Sequence, residues 1–206
     1  LRITKQKLRV LEPTKNPFQS LARSIIYQQL SGRAADAILK KFVALIPRKK
    51  FPTPADVLKL SDAQFRSAGV SLQKATYLRD LAKHFVEKII NPRALHRMSD
   101  REIIEHLTMV KGVGVWTAHM FLIFALNRPN VLPVGDLAIR KGFQKAFNLN
   151  KEPTEAQMRL LAKPHDGEHT YLALHLWGLM DQEKKVAKPK KGSRIKKNNQ
   201  HDYEVF

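Results

Sequence analysis

Apolar residues along this chain recur mostly three or four positions apart, and no stretch alternates convincingly with period two. That spacing puts them on single faces of helices, so the pattern predicts an all-α fold. Pro17 stands at the first turn of a helix over Phe18 to Leu30, with Leu21, Ile25 and Ile26 on one side. A second helix, Arg33 to Leu45, takes Ser31 as its cap and buries Ala35, Ile38, Leu39 and Phe42. Short helices follow at Pro54 to Leu60 and Asp62 to Ala68, the latter capped by Ser61 or Asp62. After the turn Gly69-Val70-Ser71 comes a long helix, Gln73 to Ile90, stopped by Asn91-Pro92. Ser99 and Glu102 have capping-box spacing and open a helix carrying Ile103, Ile104, Leu107 and Val110. A second apolar run, Trp116 to Leu126, follows a short break. Beyond a Pro-rich loop the pattern gives helices over Leu137 to Phe147, from Thr154-Glu155 onward, and over Thr170 to Met180 with Trp177 inside it.

The break at Lys111-Gly112-Val113-Gly114 is the most informative stretch. So short a Gly-x-Gly connection makes a tight helical hairpin, and its glycines free the backbone to approach another group closely. Unpaired amides at the start of the second helix favour an anion such as phosphate, although the glycines would equally serve to close the helix pair. Further on, Asp136 stands at the end of the Pro-rich loop. From position alone it reads as an N-cap for the helix from Leu137, or as an i,i+4 partner of Arg140.

Composition narrows the partner. Among 206 residues, 37 are Lys or Arg and 18 are Asp or Glu, a net charge of +19. From Lys184 to the end there are eight basic and two acidic residues, so most of the excess lies on the body of the chain. A basic body beyond a basic tail points to a polyanion, nucleic acid before an acidic membrane surface. No stretch reaches the ~20 apolar residues of a membrane span. The absence of cysteine removes disulfides, thiolate zinc sites and cysteine-ligated iron–sulfur clusters. Leu1 rather than Met stands first, which leads us to expect that the natural N-terminus lies upstream. The chain divides into a basic lead-in (1–16), a folded body (17–183) and a Lys-rich tail (184–206) expected to be disordered.

Three segments in order, PFQSLARSIIYQQLSG (Pro17 to Gly32), VKGVGVWTA (Val110 to Ala118) and LPVGDLAIRKGF (Leu132 to Phe143), resemble the helix-hairpin-helix DNA glycosylase superfamily. Within it the chain is most similar to the alkylation-repair branch, the 3-methyladenine DNA glycosylase II family. The resemblance implies two helical subdomains flanking a DNA-binding cleft. It implies that Asp136 is the catalytic carboxylate, whose fixed charge would stabilise an oxocarbenium-like sugar and orient water. Trp116, Met120 and Tyr27 would form the base pocket, where an electron-rich ring gains cation–π attraction to an alkylated, cationic purine. Gln29 would plug the gap left by a flipped nucleotide. Gly112, Gly114 and Trp116 would grip a phosphate through their amides; Ser71 and Lys74, at a second hairpin-like turn, are candidate phosphate contacts or equally an ordinary helix cap and a surface lysine. The carbonyls of Thr108, Val110 and Gly112 would hold a structural monovalent or other cation, with no cofactor required for the chemistry.

Relatives that also cut the DNA backbone carry a lysine where this chain has Trp116, before Thr117-Ala118, and the endonuclease III branch usually carries a four-cysteine cluster. Both absences imply a monofunctional enzyme that hydrolyses the glycosidic bond and leaves an abasic site. The expected partner is double-stranded DNA containing alkylated bases, bound by a monomer without a membrane. The Lys-rich tail suggests the nucleus, or the cytoplasm if the source is bacterial. One region departs from the family: its Trp-Arg-Pro-aromatic-Arg-Ser motif is replaced by Ala162-Lys163-Pro164-His165-Asp166-Gly167-Glu168-His169-Thr170. That departure keeps a non-catalytic damage-sensing DNA module as an alternative, beside a glycosylase for oxidised or deaminated bases.

Overall fold

Seven helix starts among the described residues are set by small polar residues whose side chains satisfy the otherwise unpaired first-turn amides. Asn16, Thr53, Ser61, Ser71, Ser99, Asp136 and Thr154 each accept from the amide three residues on. At Thr53, Ser61, Ser99 and Thr154 the third residue reaches back and completes a reciprocal capping box. The computed structural model describes Thr14 and residues 16–186, with side chains through residue 182. The described residues contain helices and no strand, as the period-3.6 pattern predicts. The lead-in through residue 13 and the tail from residue 187 lie outside them.

The helices fall into two units. The described part of the first spans residues 14–127. It comprises α1 (Pro17–Tyr27), α2 (Gly32–Ala44), α3 (Pro54–Lys59), α4 (Asp62–Ser67), α5 (Leu72–Val86), α6 (Asp100–Thr108) and α7 (Val115–Met120). From Phe121 to Ala125 the last of these widens into a π-helical turn. Helix α5 packs against α1, α3 and α4, and α6 packs against α7. Rings fill the centre: Phe18 meets Phe85 edge-on at 5.2 Å between centroids, and Phe42 stacks on Phe65 at 6.1 Å.

The second unit, described over residues 128–186, holds α8 (Leu137–Ala146), α9 (Glu155–Ala162), a 3₁₀ turn (Lys163–His165) and α10 (His169–Val186). Its core joins Ile139 and Phe143 of α8 to Met158 and Ala162 of α9 and to Leu172, Ala173 and Leu176 of α10.

Several boundaries differ from the sequence pattern, each for a local reason. Helix α1 stops at Tyr27, short of Leu30, because Gln29 takes φ 58. Helix α5 stops at Val86 rather than Ile90, since Lys88 turns left-handed at φ 60 and the Ile90 amide bonds back to the His84 carbonyl at 3.1 Å. Asn91-Pro92 is therefore not what ends it. Ser31 sits at the α2 N-cap but makes no side-chain cap bond, and Ile38 and Leu39 are only half-buried. Helix α10 is longer than the predicted Thr170 to Met180 and continues through Val186, so the first residues assigned to the tail are helical.

Candidate active site and DNA interface

In the larger unit, the ends of α1, α5 and α7 surround a cavity of about 470 Å³. Six of the residues singled out in the sequence line it: Tyr27, Gln29, Lys74, Gly112, Trp116 and Met120. The side chains of Gln28, Gln73, Tyr77 and Thr117, which sequence reasoning passed over, line it as well. Trp116 is 38% exposed and lines the cavity, so it is not a core tryptophan. Met120, four residues on, is buried beneath the same face of α7.

Tyr27 is held rather than loose. Its hydroxyl donates a hydrogen bond to the Asp36 carboxylate on α2, and the Arg23 guanidinium lies 4.8 Å from its ring centroid. Gln29 projects from the turn after α1, exposed and at positive φ, a backbone state that costs energy for any residue but glycine. Lys74 directs its ammonium to the carbonyls of Ile26 at 2.6 Å and Gln28 at 2.8 Å, and burial pushes its pKa down. Ser71 caps α5, accepting from the Lys74 amide at 3.3 Å.

The hairpin between α6 and α7 is anchored from α5. The Lys111 amide donates to Asp80 Oδ2 at 2.8 Å. Gly112 sits at φ 81 with the Tyr77 ring beside it, so close that a Cβ there would meet ring carbons at 2.2 to 2.6 Å. Gly114 is the N-cap of α7 at φ −94 and would give a Cβ nothing within 4 Å. The two glycines therefore differ in purpose: Gly112 permits packing, and Gly114 leaves its approach open. Of the carbonyls expected to hold a cation, that of Val110 accepts from the Val113 amide at 3.0 Å and that of Gly112 from Gln28 Nε2 at 2.9 Å. Each carbonyl has a second lone pair for an ion. Thr108 turns its hydroxyl back onto the Ile104 carbonyl at 2.8 Å. Among the described residues no cluster of His, Asp or Glu could hold a metal.

In the smaller unit Asp136 caps α8, and the cap reading is realised. Its Oδ1 accepts from the Ile139 amide at 2.9 Å and from the indole Nε1 of Trp177 at 3.1 Å. Two donors on one oxygen fix the rotation of the carboxyl group, as a preorganised electrostatic group requires. Arg140, the alternative partner, pairs instead with Glu152 at 3.5 Å. The contact with Trp177 was missed in the sequence, where the signal was only that a half-buried indole N–H wants an acceptor.

The atypical loop before α10 is tied down by Asn130. Its Oδ1 accepts from the Gly167 amide at 3.0 Å and the His169 amide at 3.4 Å, while its Nδ2 donates to Asp166 Oδ1 at 3.1 Å. Thr170 adds a bond from its hydroxyl to the Arg128 carbonyl at 2.6 Å. The His169 ring is engaged by the Ala162 carbonyl at 3.2 Å.

Residues 22–165 match the model of the HhH-GPD superfamily of base excision DNA repair proteins. The chain is 35% identical over 181 residues to DNA-3-methyladenine glycosylase 1 of Schizosaccharomyces pombe, covering 86% of this chain and 79% of that protein. Among solved structures it is similar to the S. pombe 3-methyladenine DNA glycosylase in complex with abasic DNA, with TM-score 0.72 and 33% identity, covering 87% of this chain and 85% of that one. It is also similar to a DNA-3-methyladenine glycosidase from Bacillus halodurans, with TM-score 0.74 and 33% identity over 85% of this chain and 80% of that one.

Proposed function

This chain belongs to the HhH-GPD superfamily of base excision DNA repair proteins, and on that premise we propose that it is a monofunctional glycosylase for alkylated bases such as 3-methyladenine. It acts as a monomer on double-stranded DNA, extrudes the damaged nucleotide and hydrolyses its glycosidic bond. The abasic sugar stays in the strand. The observation that carries this reading is Asp136, a carboxylate at the head of α8 with Oδ1 fixed by the Ile139 amide and the Trp177 indole. As the base departs, positive charge develops on the sugar, and an anion already oriented stabilises it without reorganising. A water then adds to the anomeric carbon with Asp136 accepting its proton.

Trp116 supports both the lesion class and the absence of strand cleavage. Its half-exposed indole offers a π face to a cationic methylated purine. It also occupies the position where a Schiff-base lysine stands in relatives that cut the backbone, so the sugar is attacked by water rather than by an amine. Tyr27 and Met120 complete the pocket. Gln29 fills the gap in the stack, and the amides around Gly112, Gly114 and Trp116 take a phosphate. A cation at this turn, held by the carbonyls of Thr108, Val110 and Gly112, would add a positive charge facing the same phosphate. Similarity to 3-methyladenine glycosylases of S. pombe and Bacillus halodurans supports the substrate class.

The test is a duplex carrying methylated purines, with product analysed before and after alkali and with borohydride present. We expect abasic product, strand breaks only after alkali, and no trapped adduct. A borohydride-trapped adduct would overturn the monofunctional assignment, and tight binding without base release would make the chain a damage-binding module.

A further inference from the structure

The chain leaves α1 through a four-residue turn closed by a bond from the Leu30 amide to the Tyr27 carbonyl at 3.2 Å. Gln28 at φ −51, ψ 130 and Gln29 at φ 58 have the central angles of a type II turn. The second central position of that turn favours Gly or Asn, because only they adopt positive φ cheaply. A glutamine there means that the backbone is held in a costly state while projecting a long polar side chain.

Contacts from two other elements hold it. The Lys74 ammonium, on the first turn of α5, donates to the Ile26 carbonyl at 2.6 Å and the Gln28 carbonyl at 2.8 Å. The Gln28 carbonyl belongs to the peptide between the two central residues, and the orientation of that peptide separates a type II turn from a type I turn. A cation on its oxygen fixes the type II form. The Gln28 side chain reaches across 84 residues of sequence and donates from Nε2 to the Gly112 carbonyl at 2.9 Å, at the crest of the hairpin. Tyr77, one helical turn beyond Lys74, fills the space beside Gly112, and its hydroxyl accepts from Gln73 Nε2 at 2.8 Å. One face of α5 thus supports both turns, and Gln28 joins them directly.

We infer that Lys74 and Gln28 are positioning residues that lock the turn bearing Gln29 to the Lys111–Gly114 hairpin, so that wedge and phosphate grip meet DNA as one rigid element. This rests on the glycosylase reading above, in which Gln29 enters the stack. It replaces a phosphate-contact role for Lys74. The ordering of the wedge is complete before DNA arrives, so intercalation does not bear that entropy cost. The lowered pKa of Lys74 agrees with an ammonium drawn from water onto carbonyl oxygens.

Lys74→Met and Gln28→Leu in the full chain test this. Each variant and wild type are titrated, across a series of salt concentrations, with unmodified duplex and with duplex carrying a tetrahydrofuran abasic analogue. Single-turnover base release from methylated duplex is measured alongside. The lock predicts an unchanged salt slope on unmodified duplex for both variants. It predicts about tenfold losses in abasic-analogue affinity and in the rate of release, the scale of losing a hydrogen bond to a charged or buried group. A salt slope reduced by about one unit in Lys74→Met, with equal losses on both duplexes, would identify a phosphate contact and overturn the inference. Wild-type analogue affinity and release in Gln28→Leu would overturn it as well. Gln28→Leu removes no charge and decides the question even if Lys74→Met does not fold. Failure of wild type to release any base would sink the glycosylase reading, and the duplex titrations would still report on the lock.

Discussion

Replacing Gly112 by alanine tests the packing of the hairpin in the most direct way. The new methyl group would stand 2.2 Å from Tyr77 Cδ2, 2.4 Å from Cε2 and 2.6 Å from Cγ. Three atoms of one ring are involved, so the ring must move as a body by roughly an ångström or more, and overpacking of this kind costs about 1–3 kcal/mol. Gln73 Nε2 holds the hydroxyl end of that ring at 2.8 Å, which resists the movement. Alanine must also adopt φ 81, adding about 1–2 kcal/mol. The expected loss of stability is therefore about 2–5 kcal/mol, measured as a shift in the urea midpoint at constant slope. On a Tyr77→Ala background the clash is gone but the backbone cost is not, so Gly112→Ala should then cost only about 1–2 kcal/mol relative to Tyr77→Ala alone. Gly114→Ala is the control, since its Cβ meets nothing within 4 Å and its φ is −94. It should stay within about 1 kcal/mol of wild type, the scale of an N-cap exchange, while losing affinity for duplex DNA. A Gly112→Ala protein as stable as wild type would refute the ring-contact argument.

Trp177→Phe keeps an aromatic ring on α10 but removes the donor to Asp136 Oδ1. We expect a fall in single-turnover rate of about tenfold, with duplex affinity unchanged, because a hydrogen bond to a charged group is lost. Glu102 accepts from the Ser99 hydroxyl at 2.7 Å and the Ser99 amide at 2.6 Å, and these bonds hold its pKa below the ordinary 4.5. A depressed carboxylate contributes stability that is complete above its unfolded pKa and is lost as pH falls through the folded one. The stability difference between wild type and Glu102→Gln should therefore be constant above pH 4.5 and shrink in more acid solution; a constant difference down to full acid denaturation would contradict the assignment.

What could be read in the sequence was local. The Ser99 and Glu102 capping box, the break at Gly112 and Gly114, and the Asp136 cap each depend on residues within three positions of one another, so their spacing reveals them. Ring-bearing Trp116 and Met120 fell on one helix face for the same reason. The contacts that position these groups are long-range: Trp177 reaches Asp136 across 41 residues, Lys74 reaches Gln28 across 46, and Gln28 reaches Gly112 across 84. No periodicity encodes such pairs. The early ends of α1 and α5 were hidden as well, because Gln29 and Lys88 adopt left-handed angles that composition assigns to glycine or asparagine. Lys74 shows the consequence for function, since its spacing offers a phosphate contact or a surface lysine, while its carbonyl partners lie 46 and 48 residues away in sequence.

The central claim is that Asp136 drives hydrolytic release of an alkylated base, and mass spectrometry of bases freed from methylated DNA tests it most directly. Wild type should release 3-methyladenine and leave an abasic site. Asp136→Asn should bind the same duplex yet release base more slowly by about 10²–10³, the usual cost of removing a preorganised charge-stabilising group. Release of the base by Asp136→Asn at the wild-type rate, or no release by wild type despite tight binding, would contradict the account.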